Sequence, residues 1–516
     1  MVNRIKTWWE ELASEISGNR AVYLLLSFIL VAAFFLRVYR LNDLLGFYYD
    51  QGRDALVIWD FWHKAKFFLI GPTTGIAGIF RGPFYYYLIA PFYLLGGGNP
   101  VWPSVFLSFT TVAAIFFVYL LGTKIVDRTT GIIGAIIASF SFNLVMTSRW
   151  LSNPTPMLLL SMILVWAMIK VTEGKKWAWP VIAFVTGASL FHFGSSGEVF
   201  YFPALLVFIV WTILRQGYGG RSSLNNKVIL ISAFIFFLTF LPLLIFDLKH
   251  EGILRNNISK FLVGEKSFAF PTWKFINEKI GFYYEVFTNK IFHGRYDREK
   301  IVLSLLAFFF VFYLSKMLRN EKIKVLLLLF IAPILGLIFF QGNFGNIYDY
   351  YLTGYYLIFI LLVALPLGYL WRSRFGKIFV VYFMYLFFVS NSDVLNYKLS
   401  NKCSGELSIC YINQKQTIDW IYQDSNGKDF NVDVYVPPVI PYAYDYLFAW
   451  YSTTENLRGA SGKLVEDKVP LLYTLFEVDP PHPERLEAWL DRQRGIAKIE
   501  KTARFGGITI ERRIRK

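Results

Sequence analysis

Asp50 and Asp54 stand four residues apart with Arg53 between them, in the stretch Phe47-Tyr48-Tyr49-Asp50-Gln51-Gly52-Arg53-Asp54, shortly after the apolar run 21–38. Carboxylates beside lipid need a partner or a job, because desolvating a charge is costly. Two acids one helical turn apart are suited to taking a proton or holding a cation. Their mutual repulsion raises the proton affinity of one unless Arg53 or a metal offsets it. The same residues also serve as N-cap and first-turn acids at a helix start. If 50–64 is helical, Ala55, Ile58, Trp59 and Trp62 form an apolar stripe. Asp50 and Asp54 then share a neighbouring face, so a helix lying on the membrane aims both carboxylates sideways into a cleft.

Further along, polar residues recur at the ends of apolar runs. Arg81 precedes Gly82 to Gly96. Arg149 and Asn153 follow the run 130–147, and His192 and Glu198 flank the turn between 177–194 and 197–214. Asp247, Lys249 and His250 close 228–248, and Tyr348, Asp349, Tyr350 and Tyr351 open 351–371. Each has an ordinary explanation: His192 as a hydrogen-bonded structural histidine, Asp247 as a span end, the bases of 249–299 as solvated surface. The cluster Tyr85-Tyr86-Tyr87 suits an interfacial belt as readily as a substrate platform built on Tyr86. Their shared side carries the meaning. Six segments bring polar groups to one membrane face, a pattern suited to chemistry on a lipid headgroup. A transporter or pump needs charge near the midplane, where these spans have almost none.

The elements that position these residues follow from composition. Of 516 residues, 55% are hydrophobic, 19% aromatic and only 17% charged, which is too apolar for a soluble enzyme. The runs 21–38, 103–123, 130–147, 155–172, 177–194, 197–214, 228–248, 300–317, 323–341, 351–371 and 376–392 make eleven spans of an all-α polytopic membrane protein. Alternating strands of a barrel are missing from the pattern. Residues 1–20 are amphipathic and read as a cytoplasmic interfacial helix, with Trp8 and Trp9 at headgroup level, not as a cleavable signal.

The loops fix the side. Lys124/Arg128, Lys175/Lys176, Arg215/Arg221/Lys227, Lys316/Arg319/Lys322/Lys324 and Arg372/Arg374/Lys377 lie between alternate pairs of spans, while the opposite short turns hold Arg149 as their one base. The basic loops and the N-terminus are therefore expected in the cytoplasm, and an odd span count puts the C-terminal part outside. Gly82 to Gly96 is not counted: as a helix it is roughly 20 Å long against an apolar core of about 30 Å, and counting it would turn every later basic loop outward. It is expected to be an interfacial or re-entrant helix. Two long outer loops result, 39–102 and 249–299, the kind that translocate largely regardless of charge. The net charge of +16 then reports topology and anionic membrane lipid, not nucleic acid.

After the transmembrane domain 21–392 the character changes. Asn413 to Tyr422 reads as a helix, Phe430 to Val436 and Leu471 to Val478 as strands, Pro483 to Arg494 as a helix opened by proline, and Ile496 to Ile499 with Gly507 to Ile514 as a hairpin. A small extracytoplasmic α/β domain over 393–516 is expected, without a catalytic motif. Cys403 and Cys410, the two cysteines, have no metal-ligand spacing; they form a short-loop disulfide or stay reduced.

The order of pieces resembles the GT-C glycosyltransferases, specifically glycosyltransferase family 39 and the RgtA/B/C/D-like group, with the protein O-mannosyltransferases and the aminoarabinose transferases of lipid A. The resemblance rests on Tyr49-Asp50-Gln51-Gly52-Arg53-Asp54-Ala55, Gly71-Pro72-Thr73, Gly82-Pro83-Phe84-Tyr85-Tyr86-Tyr87-Leu88, Gly97-Gly98-Asn99-Pro100, Ser148-Arg149, Asn153-Pro154, Leu190-Phe191-His192, Pro242 to Lys249 and Tyr350-Tyr351-Leu352. It runs from Arg37 to about Gly368.

This resemblance implies transfer of a monosaccharide from a polyprenyl-phosphate donor to a lipid, protein or polysaccharide acceptor at the outer face. Asp50 matches the essential acid and is expected to be the general base, giving inversion; Asp54 is the second catalytic candidate. Arg53, Arg81, Arg149 and Lys249 are the candidates for the phosphate charge. Tyr86, Asn153, His192, Asp247 and Tyr351 are the remaining substrate-binding candidates. Some relatives carry another outer acid where this chain has Asn153-Pro154-Thr155-Pro156, so the role of a divalent metal stays open. No other cofactor is implied. A flippase for a lipid-linked sugar and a non-catalytic envelope scaffold are the alternatives.

Overall fold

A computed structural model describes residues 14–515 except 77, 218–223, 266, 295–296, 343–345, 438–439 and 458–461. Most of the expected interfacial helix 1–20, including Trp8 and Trp9, lies outside the described residues.

The membrane part is built from α1 (Arg20–Val38), α2 (Tyr49–Lys64), α3 (Phe84–Leu95), α4 (Val101–Ile125), α5 (Arg128–Phe140), α6 (Phe142–Arg149), α7 (Met157–Thr172), α8 (Ala178–Ala188), α9 (Tyr201–Gly217), α10 (Asn226–Lys249), α11 (Ile253–Ser259), α12 (Trp273–Thr288), α13 (Asp297–Met317), α14 (Glu321–Phe339), α15 (Tyr356–Leu370) and α16 (Arg374–Leu399). Every one of the eleven expected spans is helical. Eight helices are long and apolar enough to cross a membrane, or nine with the bent pair α5–α6. Met157–Thr172 and Ala178–Phe193 are shorter apolar helices. The chain is a multi-pass membrane protein.

One expected span is broken. Between α5 and α6 the axis turns by 62°. Ser141 sits there with extended backbone and its hydroxyl accepts from Leu144 N, so it ends one helix and caps the next. The neighbouring Phe142 N–H is taken by Asn391 of α16. The expected non-span 82–96 is the 12-residue α3, continuous through Pro91.

Helix α15 is apolar all round and is the core of the bundle, buried along almost its whole length against α5, α13, α7 and α4. Helices α10 and α13 present most of their apolar surface outward, as lipid-facing helices do. The basic loops gather at one end of the bundle. There Lys124 pairs with Glu173 at 2.8 Å, Arg372 with Asp127 at 2.7 Å and Arg128 with Glu15 at 2.7 Å, and Lys322 Nζ donates to Lys124 O. The loops carrying Asp50, Arg81 and His192 belong to the opposite end.

The C-terminal unit comprises α17 (Tyr411–Ser425), β1 (Asn431–Tyr435), α18 (Tyr442–Leu457), β2 (Leu471–Glu477), α19 (Pro483–Ile496), β3 (Ala497–Phe505) and β4 (Ile508–Arg515). Its four-stranded sheet has the order β1-β2-β4-β3, with β1 parallel to β2 and the other pairs antiparallel. The expected hairpin turns at Gly506, whose φ of +57° suits glycine. Helix α18 was not expected from the sequence, and it is the element that docks on α2. Cys403 and Cys410 are disulfide-bonded.

Candidate active site

The site begins on α2. Gln51 makes the helix start self-satisfied, its side chain accepting from Tyr48 N. Ala55 and Ile58 are buried, Trp59 is half-buried, and Trp62 donates to Ala90 O of α3. The two acids do not share one environment. The Asp50 side chain is 62% exposed, whereas that of Asp54 is 8% exposed. A residue step of four on this helix, with α3 covering one flank, puts one carboxylate in solvent and the other inside.

Arg53 joins them. Its Nη1 lies 2.8 Å from Asp50 Oδ1, and its Nη2 and Nε lie 2.8 and 3.0 Å from Asp54 Oδ1. Nη1 also donates to Thr73 Oγ1 at 2.7 Å. Tyr86 of α3 donates to the same Asp54 oxygen at 2.9 Å. Burial raises the Asp54 carboxyl to about 6, against the pull of Arg53 and Tyr86. Burial pushes Arg53 down, but Asp54 overrides it, and the guanidinium is held above its ordinary range.

Thr73 begins a tight hairpin that carries Arg81. Thr73 bridges Phe80, Gly71 N donates to Arg81 O at 2.6 Å, and Arg81 N donates to Pro72 O. Three contacts dock this hairpin: Arg53 at its base, Asn257 Nδ2 on Gly78 O at its tip, and Gly82 N on Phe191 O. The Arg81 guanidinium makes no hydrogen bond among the described residues. Burial pushes it down from its ordinary range, while the charge and dipoles of Glu198, Tyr350 and Tyr351 support it. A half-buried arginine without a hydrogen-bonded partner suits an anion.

Several expected ligands have structural occupations instead. Arg149 is buried, and its Nη1 donates to the carbonyls of Leu36, Arg37 and Tyr39, closing the C-terminal end of α1. Arg37, buried in turn, donates to Ala138 O and Ser139 O at the end of α5. These two guanidiniums satisfy carbonyls left over at helix ends, while Arg149 Nη2 is buried without a hydrogen-bond partner among the described residues.

His192 is fully buried. Its ring stacks on Phe84 at 3.7 Å, Nε2 donates to Thr239 O at 2.6 Å, and Nδ1 faces Phe84 N. A Cβ at Gly82 would meet Nδ1 at 2.1 Å. The histidine therefore pins the end of the Arg81 hairpin to the bundle instead of facing a substrate. Asn153 donates to Phe193 O, and Asp247 Oδ1 accepts from Arg255 N, holding the turn into α11. Lys249 is exposed at the end of α10. Tyr351 is buried beside Tyr348 and Tyr350, facing Arg81.

For a divalent cation the donor set is wrong. Arg53 already occupies the space between the two carboxylates of α2, and among the described residues no three His, Cys, Asp or Glu side chains form a group for a metal.

The chain superposes on the apo structure of ArnT from Cupriavidus metallidurans with a TM-score of 0.59 at 9% identity, covering 96% of this chain and 98% of that one. The same protein bound to undecaprenyl phosphate gives 0.58 at 9% identity, with 95% and 97% covered. Residues 81–246 match the family model described as dolichyl-phosphate-mannose-protein mannosyltransferase. The chain has the GT-C fold. No protein of curated function matches it in sequence.

Within the GT-C frame Lys290 was not singled out from sequence, and Glu198, noted only as flanking a turn, was given no role. Lys290, 1% exposed, pairs with the half-exposed Asp349. Glu198, buried, accepts from Ser195 N and Gly354 N and lies near Arg81. Their signal was weak: a lysine in a loop rich in bases, and an acid beside an apolar run.

Proposed function

We propose that this protein is a membrane glycosyltransferase that moves a monosaccharide from a polyprenyl-phosphate donor to an acceptor hydroxyl. The observation that carries this reading is the exposed Asp50 carboxylate, tied through Arg53 and the Thr73–Phe80 hairpin to Arg81, a guanidinium with no hydrogen bond among the described residues. One group suits a proton and the other a leaving phosphate.

In this mechanism Asp50 takes the acceptor hydroxyl proton as the oxygen attacks the anomeric carbon. The bond from that carbon to the phosphate oxygen breaks, and its electron pair leaves on the lipid phosphate. A single displacement inverts configuration. Arg81 neutralises the leaving phosphate, with Arg53 as a second cation nearby. Asp54 is a positioning residue: buried and bonded to Arg53, it fixes the guanidinium that orients Asp50. The site is assigned to the extracytoplasmic face, because the end of the bundle holding the basic loops is the other one. The unit from 393 onward is then extracytoplasmic too.

The test is Asp50→Asn, which removes the base with little change of shape. Transfer in membranes supplied with donor lipid is expected to be lost while expression and melting temperature stay at wild-type values. Wild-type turnover by this variant refutes the assignment.

A further inference from the structure

Asp349 stands at the head of the short helical turn Asp349–Tyr355 that leads into α15. Lys290 reaches it from the segment after α12, with Nζ at 3.0 Å from Oδ1 and 2.8 Å from Oδ2, and the Tyr356 hydroxyl donates to the same carboxylate. Lys290 also lies over the Tyr356 ring at 4.1 Å. The lysine is 1% exposed, yet its carboxylate partner is 52% exposed. An acid needed only to neutralise a buried ammonium would be buried with it. This one is clamped from behind by two donors and left open in front, with lone pairs to spare.

Beside it lie partly exposed tyrosine rings. Tyr348 and Tyr350 are 49% and 38% exposed, and their rings are stacked 5.7 Å apart at 8°. Trp150 meets Tyr350 edge-on at 5.7 Å. Tyr350 is also on the Arg81 side of this cluster. A fixed carboxylate takes hydroxyl hydrogen bonds strongly, and an aromatic face takes the C–H side of a sugar ring. No ionisable group elsewhere in the proposed chemistry uses either.

The geometry points to a carbohydrate subsite at this position: Asp349, held by Lys290 and Tyr356, accepts hydroxyl hydrogen bonds from a pyranose whose ring face lies on Tyr350. The inference deepens the glycosyltransferase reading by giving the sugar a place beside the tyrosines that neighbour Arg81. The pyranose is that of the donor or of a saccharide acceptor, and the chemistry of recognition is the same for both.

The test uses the full chain in nanodiscs and saturation-transfer NMR with methyl α-pyranosides of mannose, glucose and galactose. Saturation is expected on one face of at least one pyranoside. Asp349→Asn, and separately Tyr350→Ala, are each expected to weaken its binding tenfold or more, and Asp349→Asn to leave the affinity for undecaprenyl phosphate unchanged. Tyr350→Ala touches neither partner of the buried pair, so it decides the matter if Asp349→Asn folds poorly. No saturation with wild type, or wild-type pyranoside affinity in Tyr350→Ala, overturns the subsite. Displacement of the pyranoside by undecaprenyl-phosphate mannose identifies the donor sugar's place; simultaneous binding identifies the acceptor's. Failure of wild type to bind undecaprenyl phosphate sinks the donor reading instead, and pyranoside saturation is then scored by itself.

Discussion

Gly52 lies between Asp50 and Arg53, and α18 of the C-terminal unit crosses α2 at that point. A Cβ on residue 52 would sit 2.3 Å from Ala443 N, 2.4 Å from Tyr442 C and 2.5 Å from Ala443 Cα, all backbone atoms. Ordinary contact begins at 3.4 Å, so Gly52→Ala forces the two helices apart by about 1 Å in a packed interface that has no slack. Overpacking of this kind costs about 1–3 kcal/mol. The same shift moves the Asp50 turn relative to the Arg81 hairpin, and a misplacement of about 1 Å at a reacting centre costs on the order of 100-fold in rate. The docking has other ties that the shift strains: Tyr48 Oη to Ile409 O, Gln414 Nε2 to Phe47 O, Tyr446 to Gly98 O and Trp450 Nε1 to Gly97 O. The assay is thermal unfolding of the purified full chain, paired with transfer at saturating donor. Gly75→Ala is the control, since a Cβ there meets nothing within 4 Å. A Gly52→Ala protein that melts and turns over like wild type, or a Gly75→Ala protein that loses as much, refutes the reasoning.

Four further outcomes are expected. Asp54 has its folded-state carboxyl raised from 3.8 to about 6 by burial, so its contribution to stability is full below pH 4 and is lost as pH rises through 6. At 1.36 kcal/mol per unit this is about 3 kcal/mol. Melting temperatures across that window are expected to flatten in Asp54→Asn, and an unaltered slope contradicts the assignment. Arg149→Met, stripped of its three carbonyl bonds, is expected to lose about 2–3 kcal/mol of stability with undecaprenyl phosphate affinity intact. Arg81→Met should do the reverse, melting normally and binding that lipid at least tenfold more weakly. Breaking the Cys403–Cys410 bridge, closed over a separation of 7 residues, should cost about 2–3 kcal/mol. Reductant is then expected to lower the melting temperature of wild type but not of the double serine variant.

The apolar runs, the basic loops and the strands of the C-terminal unit were legible because each is set by local composition and period. Lipid selects length and hydrophobicity, and a half-buried strand selects alternation. The short helix over 84–95 was legible for the same reason, as a run too brief for the bilayer. The occupations of single polar residues were not. Arg149 and His192 looked like ligands because residue type and membrane side are local properties; that one caps α1 and the other locks onto Thr239 depends on carbonyls over 100 and 47 residues away. Helix α18 escaped notice because its aromatic run lacks a clear period, and its seat against Gly52 exists only where two distant backbones meet. Sequence alone determined that acids and arginines gather at the edge of a helical membrane bundle. Tertiary structure decided which of them are spent on backbone ends and which, like Asp50 and Arg81, keep charge to offer, because a hydrogen bond is a matter of a few ångströms in space and not of position along the chain.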